Sequence, residues 1–189
     1  MQRGDLARSA LEPAEYPTDG VQEIAMLGRS NSGKSSLLNA LLNRRSARVS
    51  GTPGHTQRIH FYWVKGWYLV DLPGFGYAQV TAAQRARFNQ AVDFYLNRRR
   101  ELTAAILIQD IRRDPGPEEI SVRDWARDRN LLLLVVANKV DKLNRTQGEA
   151  RVAELTAAYG SRVLPISART RLGVEDLKTA IRGLGLEGL

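Results

Sequence analysis

From Gly28 to Ser35 the chain reads Gly-Arg-Ser-Asn-Ser-Gly-Lys-Ser, which satisfies the pattern G-x-x-x-x-G-K-[ST] without deviation. A strand candidate, Glu23 to Leu27, precedes it, and a helical stretch from Lys34 to about Asn43 follows. Glycines in such a turn let backbone N–H groups converge on phosphate oxygens, and the helix N-terminus adds its dipole. Lys34 would then reach the β- and γ-phosphates of a nucleoside triphosphate, and the Ser35 hydroxyl would ligate Mg²⁺. The turn sits in the strand-then-helix context that this chemistry requires.

The same alternation runs on along the chain. Ile59 to Val64 and Trp67 to Asp71 are β-rich and separated by Lys65-Gly66, a hairpin signal. Thr81 to Arg99 carries Phe88, Val92 and Leu96 at spacings of four and reads as a helix. Ala104 to Gln109 reads as a strand, and Pro117 to Arg129 as a helix with Pro in its first turn. Leu131 to Ala137 is uninterruptedly apolar, the pattern of a strand covered on both faces. Arg145 to Tyr159, Arg162 to Ile166 and Gly173 to Leu184 complete helix, strand and helix. Strands alternating with helices predict one mostly parallel sheet between helical layers, with one antiparallel edge strand from the hairpin. Met1 to Gly20, broken by Gly4, Pro13 and Pro17, reads as a loose lead-in, and residues 21–189 as a single domain.

The chain has 189 residues, 43% of them hydrophobic, which suffices for one core without disulfides; it has no cysteine, so a thiolate metal site and a Cys nucleophile are excluded. Met1 to Gly20 lacks the apolar core of a signal peptide, and Leu131 to Ala137 is far short of a membrane span. The expectation is a soluble cytoplasmic protein that acts as a monomer. Lys and Arg total 28 against 20 Asp and Glu, a net charge of +8. That excess suits either a polyanionic partner, nucleic acid above all, or a solubilising Arg-rich surface. Candidate contacts are Arg98-Arg99-Arg100, Arg112-Arg113, and Arg44, Arg45 and Arg48.

Three further segments add chemistry. Asp71-Leu72-Pro73-Gly74 follows the second hairpin strand. An Asp there can hold Mg²⁺, and the Gly74 N–H can sense the γ-phosphate. Asn138-Lys139-Val140-Asp141 ends the most apolar strand. A carboxylate at Asp141 can accept from guanine N1–H and the exocyclic amine, whereas adenine offers no such donor pair. Asn138 and the Lys139 stem would brace the loop and cover the base. Ser167-Ala168-Arg169 follows the last strand, where the Ala168 N–H would reach guanine O6. A P-loop kinase would show an Arg-rich lid and an acceptor pocket, and the guanine-reading Asp141 argues against that class.

These residues, in this order, resemble the small GTPases of translation, the class of Era and TrmE, and most closely the EngB (YihA/YsxC) family. The resemblance runs from about Ile24 to Leu184. It is carried by Gly28 to Leu41, including Ser36, by Thr52-Pro53-Gly54-His55-Thr56-Gln57, and by Leu69 to Ala78. Asp110-Ile111-Arg112 with Pro115 and Asn138 to Leu143 complete it. It implies a Ras-like P-loop domain with a six-stranded sheet and five helices. It implies that Gly54, His55, Thr56 and Gln57 border the nucleotide and that Thr56 joins Ser35 and Asp71 on Mg²⁺. It further implies a GTP/GDP switch in assembly of the large ribosomal subunit, on its precursor and rRNA, and a link to cell division or septum formation. A nucleotide-gated rRNA- or ribosome-binding protein with incidental hydrolysis is the alternative.

Where many GTPases carry a water-orienting Gln, this chain has Phe75. Slow hydrolysis is therefore expected, with transition-state charge supplied from elsewhere. By resemblance, Asn31 helps hold K⁺ beside the phosphates and so joins Lys34 and Thr56 in catalysis. Its other reading is local, a left-handed backbone position that stabilises the loop.

Overall fold

The structure is a computed structural model, described over residues 1–44, 46, 58–75 and 82–189. Its strands are β1 (Leu6–Ala10), β2 (Glu23–Gly28), β3 (Ile59–Trp63), β4 (Tyr68–Asp71), β5 (Leu102–Asp110), β6 (Leu132–Asn138) and β7 (Val163–Ile166). The helices are α1 (Lys34–Leu42), α2 (Ala82–Arg98), α3 (Pro117–Asp128), α4 (Arg145–Tyr159) and α5 (Val174–Arg182). The sheet order is β1-β3-β4-β2-β5-β6-β7. The five strands from β4 to β7 run parallel, while β3 is antiparallel to both β4 and β1.

Two sequence expectations are corrected. The described sheet has seven strands rather than six, and the seventh, β1, comes from the segment read as a loose lead-in. Ala10 and Tyr16 of that segment are buried, with Tyr16 packed on Phe61 and Tyr95. The antiparallel edge is consequently β1, and the hairpin strand β3 lies one position in. The hairpin itself closes as expected, with Val64 N–H donating to Trp67 O at 2.9 Å and Gly66 at φ +83°. The second correction concerns Leu131 to Ala137. Leu131, Leu133 and Leu134 are only partly buried against the two cores, and Leu132 is 44% exposed, so the faces of β6 are fully covered only from Val135 onward.

Alternate residues of each central strand point to opposite faces. Ala104, Ile106 and Ile108 of β5 pack with Leu37 and Leu41 of α1 and Leu177 and Ile181 of α5. Ala105 and Leu107 face the other way, into a cluster with Tyr95, Leu155 and Tyr159 of α2 and α4. Helix α3 starts with Pro117, and the Glu119 carboxylate accepts from Gly116 N–H at 2.9 Å. Helix α4 starts on Asn144, whose Oδ1 accepts from Gln147 N–H at 2.9 Å.

Strand β2 has β4 on one side and β5 on the other, so the chain leaves it in opposite directions. A crevice opens beyond the carboxyl ends of the strands at such a switch point. Gly28, Asp71, Asp110, Asn138 and the residue after Ile166 all lie at that end. No helix among the described residues is long and apolar enough to cross a membrane.

Candidate nucleotide-binding site

The loop from β2 to α1 is built for close approach. Gly33 caps α1 at φ +95°, and a Cβ there would stand 2.2 Å from Asn138 Nδ2. Asn31 takes φ +65°, a left-handed conformation that Asn tolerates better than most residues. The loop is tied to the segment after β4: Ser30 N–H donates to Phe75 O at 3.0 Å, and Phe75 N–H to Gly28 O at 3.3 Å. Leu72, Pro73 and Gly74 are buried in this join. A Cβ on Gly74 would stand 3.1 Å from Gly28 O, so only a glycine fits without displacement. Arg29 reaches outward, its Nη1 lying 3.5 Å from Glu118 Oε2 at the start of α3.

Lys34 and Asp71 meet. Lys34 Nζ donates to Asp71 Oδ1, and both residues are buried. Ser35 and Ser36 follow in the first turn of α1 and are half-buried. A buried ammonium at a helix N-terminus is an anion site that its own carboxylate neighbour neutralises.

On the other side of the loop, Asn138 bridges two segments. Its Nδ2 donates to Ser32 O at 2.9 Å, and its Oδ1 accepts from Ala168 N–H at 3.1 Å. The Ala168 amide expected to face a base oxygen thus has Asn138 as its partner in this structure. Lys139 adopts φ +69°, and its Nζ donates to Asn31 O at 2.5 Å and to Asp110 Oδ2 at 2.9 Å. Val140 opens a short 3₁₀ turn, Val140–Lys142. The Asp141 carboxylate accepts from Ser167 Oγ at 2.7 Å and lies 4.0 Å from Arg169 Nη1. It presents hydrogen-bond acceptors and no donor.

The four described segments named from the sequence therefore converge on one crevice: Gly28 to Ser36, Asp71 to Gly74, Asn138 to Asp141 and Ser167 to Arg169. Gly54, His55, Thr56 and Gln57 lie outside the described residues.

The chain matches the 50S ribosome-binding GTPase family over residues 23–139. It is 38% identical over 193 aligned residues to the probable GTP-binding protein EngB of Alkaliphilus metalliredigens, covering 99% of this chain and 93% of that protein. The chain belongs to the EngB family of GTP-binding proteins. Its counterpart in Leuconostoc mesenteroides is 45% identical over 158 residues, which is 82% of this chain and 81% of that one. The fold also matches a crystal structure of a probable GTP-binding protein EngB, with TM-score 0.71 at 24% identity, over 85% of this chain and 97% of that one. Aquifex aeolicus Era, bound to GDP and AlF₄⁻, matches with TM-score 0.74 at 22% identity, over 89% of this chain and 58% of that one.

For an EngB-family protein the donor set suits Mg²⁺. Among the described residues no three His, Cys, Asp or Glu side chains gather into a closed metal cage. What the site offers is two hard oxygens, on Ser35 and Asp71, beside a phosphate-binding loop. That incomplete set fits an ion that shares its shell with phosphate and water.

Sequence reasoning passed over two parts of the site. Asp110, in the Asp110-Ile111-Arg112 segment, is buried and holds both Arg112 and Lys139. Its one sequence signal is a polar pair, Gln109-Asp110, closing an otherwise apolar strand. His60 pairs in register with Asp71 across β3 and β4, and burial holds its pKa below the usual histidine value. Nothing in its sequence context marks it.

Proposed function

We propose that this chain is a Mg²⁺-dependent guanine-nucleotide switch that hydrolyses GTP slowly by itself. In one nucleotide state it engages precursors of the large ribosomal subunit through rRNA, as a cytoplasmic monomer. The observation that carries the reading is the pair of acceptors on Asp141, fixed by Ser167 and placed beside the phosphate loop through Asn138. The description of the matching family, a 50S ribosome-binding GTPase, supports the choice of partner. Cell division or septum formation enters only through the family resemblance, and no residue of the site bears on it.

The chain's own residues divide the work. The amides at the start of α1 and in the loop before it, with Gly28 and Gly33 allowing their approach, bind the phosphates, and Lys34 leaves Asp71 to bridge the β- and γ-phosphates. Ser35 and Asp71, with Thr56, would hold Mg²⁺, which neutralises charge building on the phosphate oxygens. By the family resemblance, Ser36, Gly54, His55 and Gln57 would border the nucleotide. Asp141 reads the guanine N1–H and amine, Lys139 lies against one face of the base, and the Ser167-Ala168-Arg169 turn closes its edge. Asn31 would contribute an amide oxygen to K⁺, whose positive charge would favour the negative charge developing on the phosphates, while Phe75 cannot orient the attacking water. Because Phe75 has no polar group, a nucleotide-gated binder with incidental hydrolysis is the second reading.

The test is co-sedimentation with large-subunit particles in GTP-analogue, GDP and nucleotide-free states, alongside single-turnover hydrolysis. Binding confined to one nucleotide state, with hydrolysis accelerated by the particle, is the expected result. State-dependent binding without acceleration selects the second reading. Equal binding in all three states overturns both.

A further inference from the structure

Asp110 ends β5 directly opposite Asn138 of β6, and Ile111 N–H donates to Asn138 O at 3.0 Å. Its side chain is buried and fully engaged. Oδ1 accepts from Arg112 N–H at 3.1 Å and Arg112 Nε at 3.0 Å, while Oδ2 accepts from Arg112 Nη2 at 2.7 Å and Lys139 Nζ at 2.9 Å. The turn that carries it is braced from behind. Gln109 Nε2 donates to Arg113 O at 2.9 Å, Tyr159 OH donates to Gln109 Oε1 at 2.9 Å, and Arg151 Nε donates to Ile111 O at 3.1 Å. A lysine at φ +69° is uncommon, and the flexible four-carbon stem of Lys139 is fixed at its ammonium end by Asn31 O and Asp110 Oδ2.

We propose that Asp110 is a positioning residue of the guanine site, anchoring the Lys139 ammonium so that the lysine stem stands as a preset platform for one face of the base. This rests on the guanine-binding reading of Asp141 and Lys139. Ammonium and carboxylate form the one ion pair of Lys139 among the described residues, and the second contact of its Nζ is a backbone carbonyl. Burial alone would raise the Asp110 pKa, yet the hydrogen bonds from Arg112 and Lys139 outweigh it and hold the carboxyl well below the usual range. The anchor is therefore charged at any pH at which the protein works. Preorganisation of this kind shows in binding, because a stem that must be ordered by the ligand costs affinity.

The experiment measures equilibrium affinity and release rate for GDP, IDP and ADP in the full chain, for wild type, Asp110→Ala, Asp110→Asn, Lys139→Ala and Asp110→Ala/Lys139→Ala. IDP lacks the exocyclic amine but keeps N1–H, so a loss shared equally by GDP and IDP is not a loss of the amine contact at Asp141. Asp110→Ala is expected to weaken GDP and IDP by the same factor, roughly tenfold, mainly through faster release. On the Lys139→Ala background it should change affinity by less than about twofold, since coupled residues are not additive. Asp110→Asn keeps the volume and two acceptor lone pairs, so it serves if the alanine variant does not fold. Its expected loss is smaller and equally shared between GDP and IDP. Wild-type affinity in Asp110→Ala or in Lys139→Ala, or a full additional loss on the Lys139→Ala background, would overturn the proposal. Failure of the wild type to prefer GDP over ADP would instead overturn the guanine reading itself.

Discussion

At the scale of single residues, discrimination between bases rests on which atoms carry hydrogens. Asp141 offers two acceptors, and Ser167 Oγ donates to one of them, which fixes the plane of the carboxylate. Asp141→Asn replaces one acceptor with a donor, which opposes the guanine amine and suits the carbonyl that xanthine carries at that position. The expected cost for GTP is about 2–4 kcal/mol, since a charge-assisted pair is lost and a donor is left facing a donor. Displacement of a fluorescent guanine nucleotide by GTP and XTP should show affinity moving from the first to the second. Asn31 poses a different question, because its left-handed backbone and its side-chain oxygen have to be separated. Asn31→Gly retains the conformation and removes the amide, whereas Asn31→Ala also strains the backbone by about 1 kcal/mol. At matched ionic strength, turnover should be faster in KCl than in NaCl, and Asn31→Gly should erase that difference while leaving nucleotide affinity close to wild type. Equal rates in the two salts would remove the potassium role and leave the nucleotide site as it stands.

Among the elements, α2 ends at the pole opposite the nucleotide site. Its far end is locked to the first residue of β2. Glu23 is fully buried; its Oε1 accepts from Arg99 Nε at 3.0 Å and Nη2 at 2.6 Å, and its Oε2 from Tyr95 OH at 2.8 Å. The same guanidinium donates to Pro17 O at 2.8 Å and sits 5.6 Å from the Tyr16 ring centre, so the N-terminal segment is clamped with it. Arg99→Ala leaves a buried carboxylate without its cation and is expected to cost about 3–5 kcal/mol, against about 1.5–3 kcal/mol for Tyr95→Phe. Burial already raises the Glu23 pKa against the pull of Arg99. A carboxyl whose pKa rises on folding favours the folded state below its unfolded pKa, and that contribution fades as pH climbs through the folded value. The Arg99→Ala variant should accordingly lose more of its melting temperature at pH 8 than at pH 5. An equal loss at both would mean that Glu23 does not change its charge between those two pH values.

The same elements show what a sequence can disclose. Strands β2 and β5 are legible because runs such as Ala105 to Ile108 are apolar on both faces, and the phosphate loop because its glycines and lysine keep a fixed spacing. Strand β1 is not, since Leu6-Ala-Arg-Ser-Ala pairs on one side only, buries little beyond Ala10 and carries no β-branched residue. The Lys139–Asp110 and Arg99–Glu23 pairs join residues 29 and 76 positions apart, and no local period records such a meeting.

For the whole molecule, the issue is where the net charge of +8 is available to a partner. Several arginines that the sequence offered for RNA are engaged within the protein: Arg99 by Glu23, Arg112 by Asp110 and Arg44 by Asp5. Arg45 and Arg48 lie outside the described residues. Arg98, Arg100 and Arg113 remain, exposed and without a carboxylate partner among the described residues. They do not form one patch. Arg98 and Arg100 precede β5 and Arg113 follows it, and a strand of 9 residues separates the two ends by about 25–30 Å. Only Arg113 stands at the nucleotide end. If RNA is the partner, the two groups should behave differently. Arg98→Ala/Arg100→Ala should weaken particle binding equally in the GTP-analogue and GDP states, while Arg113→Ala should narrow the gap between the states. Each phosphate contact removed should also flatten the plot of log affinity against log salt by about 0.7–0.9. The double variant would thus lower the slope by nearly twice as much as Arg113→Ala. Binding measured from 50 to 200 mM salt in both nucleotide states checks this, and unchanged slopes in both variants would place the ribosomal contact on another face of the molecule.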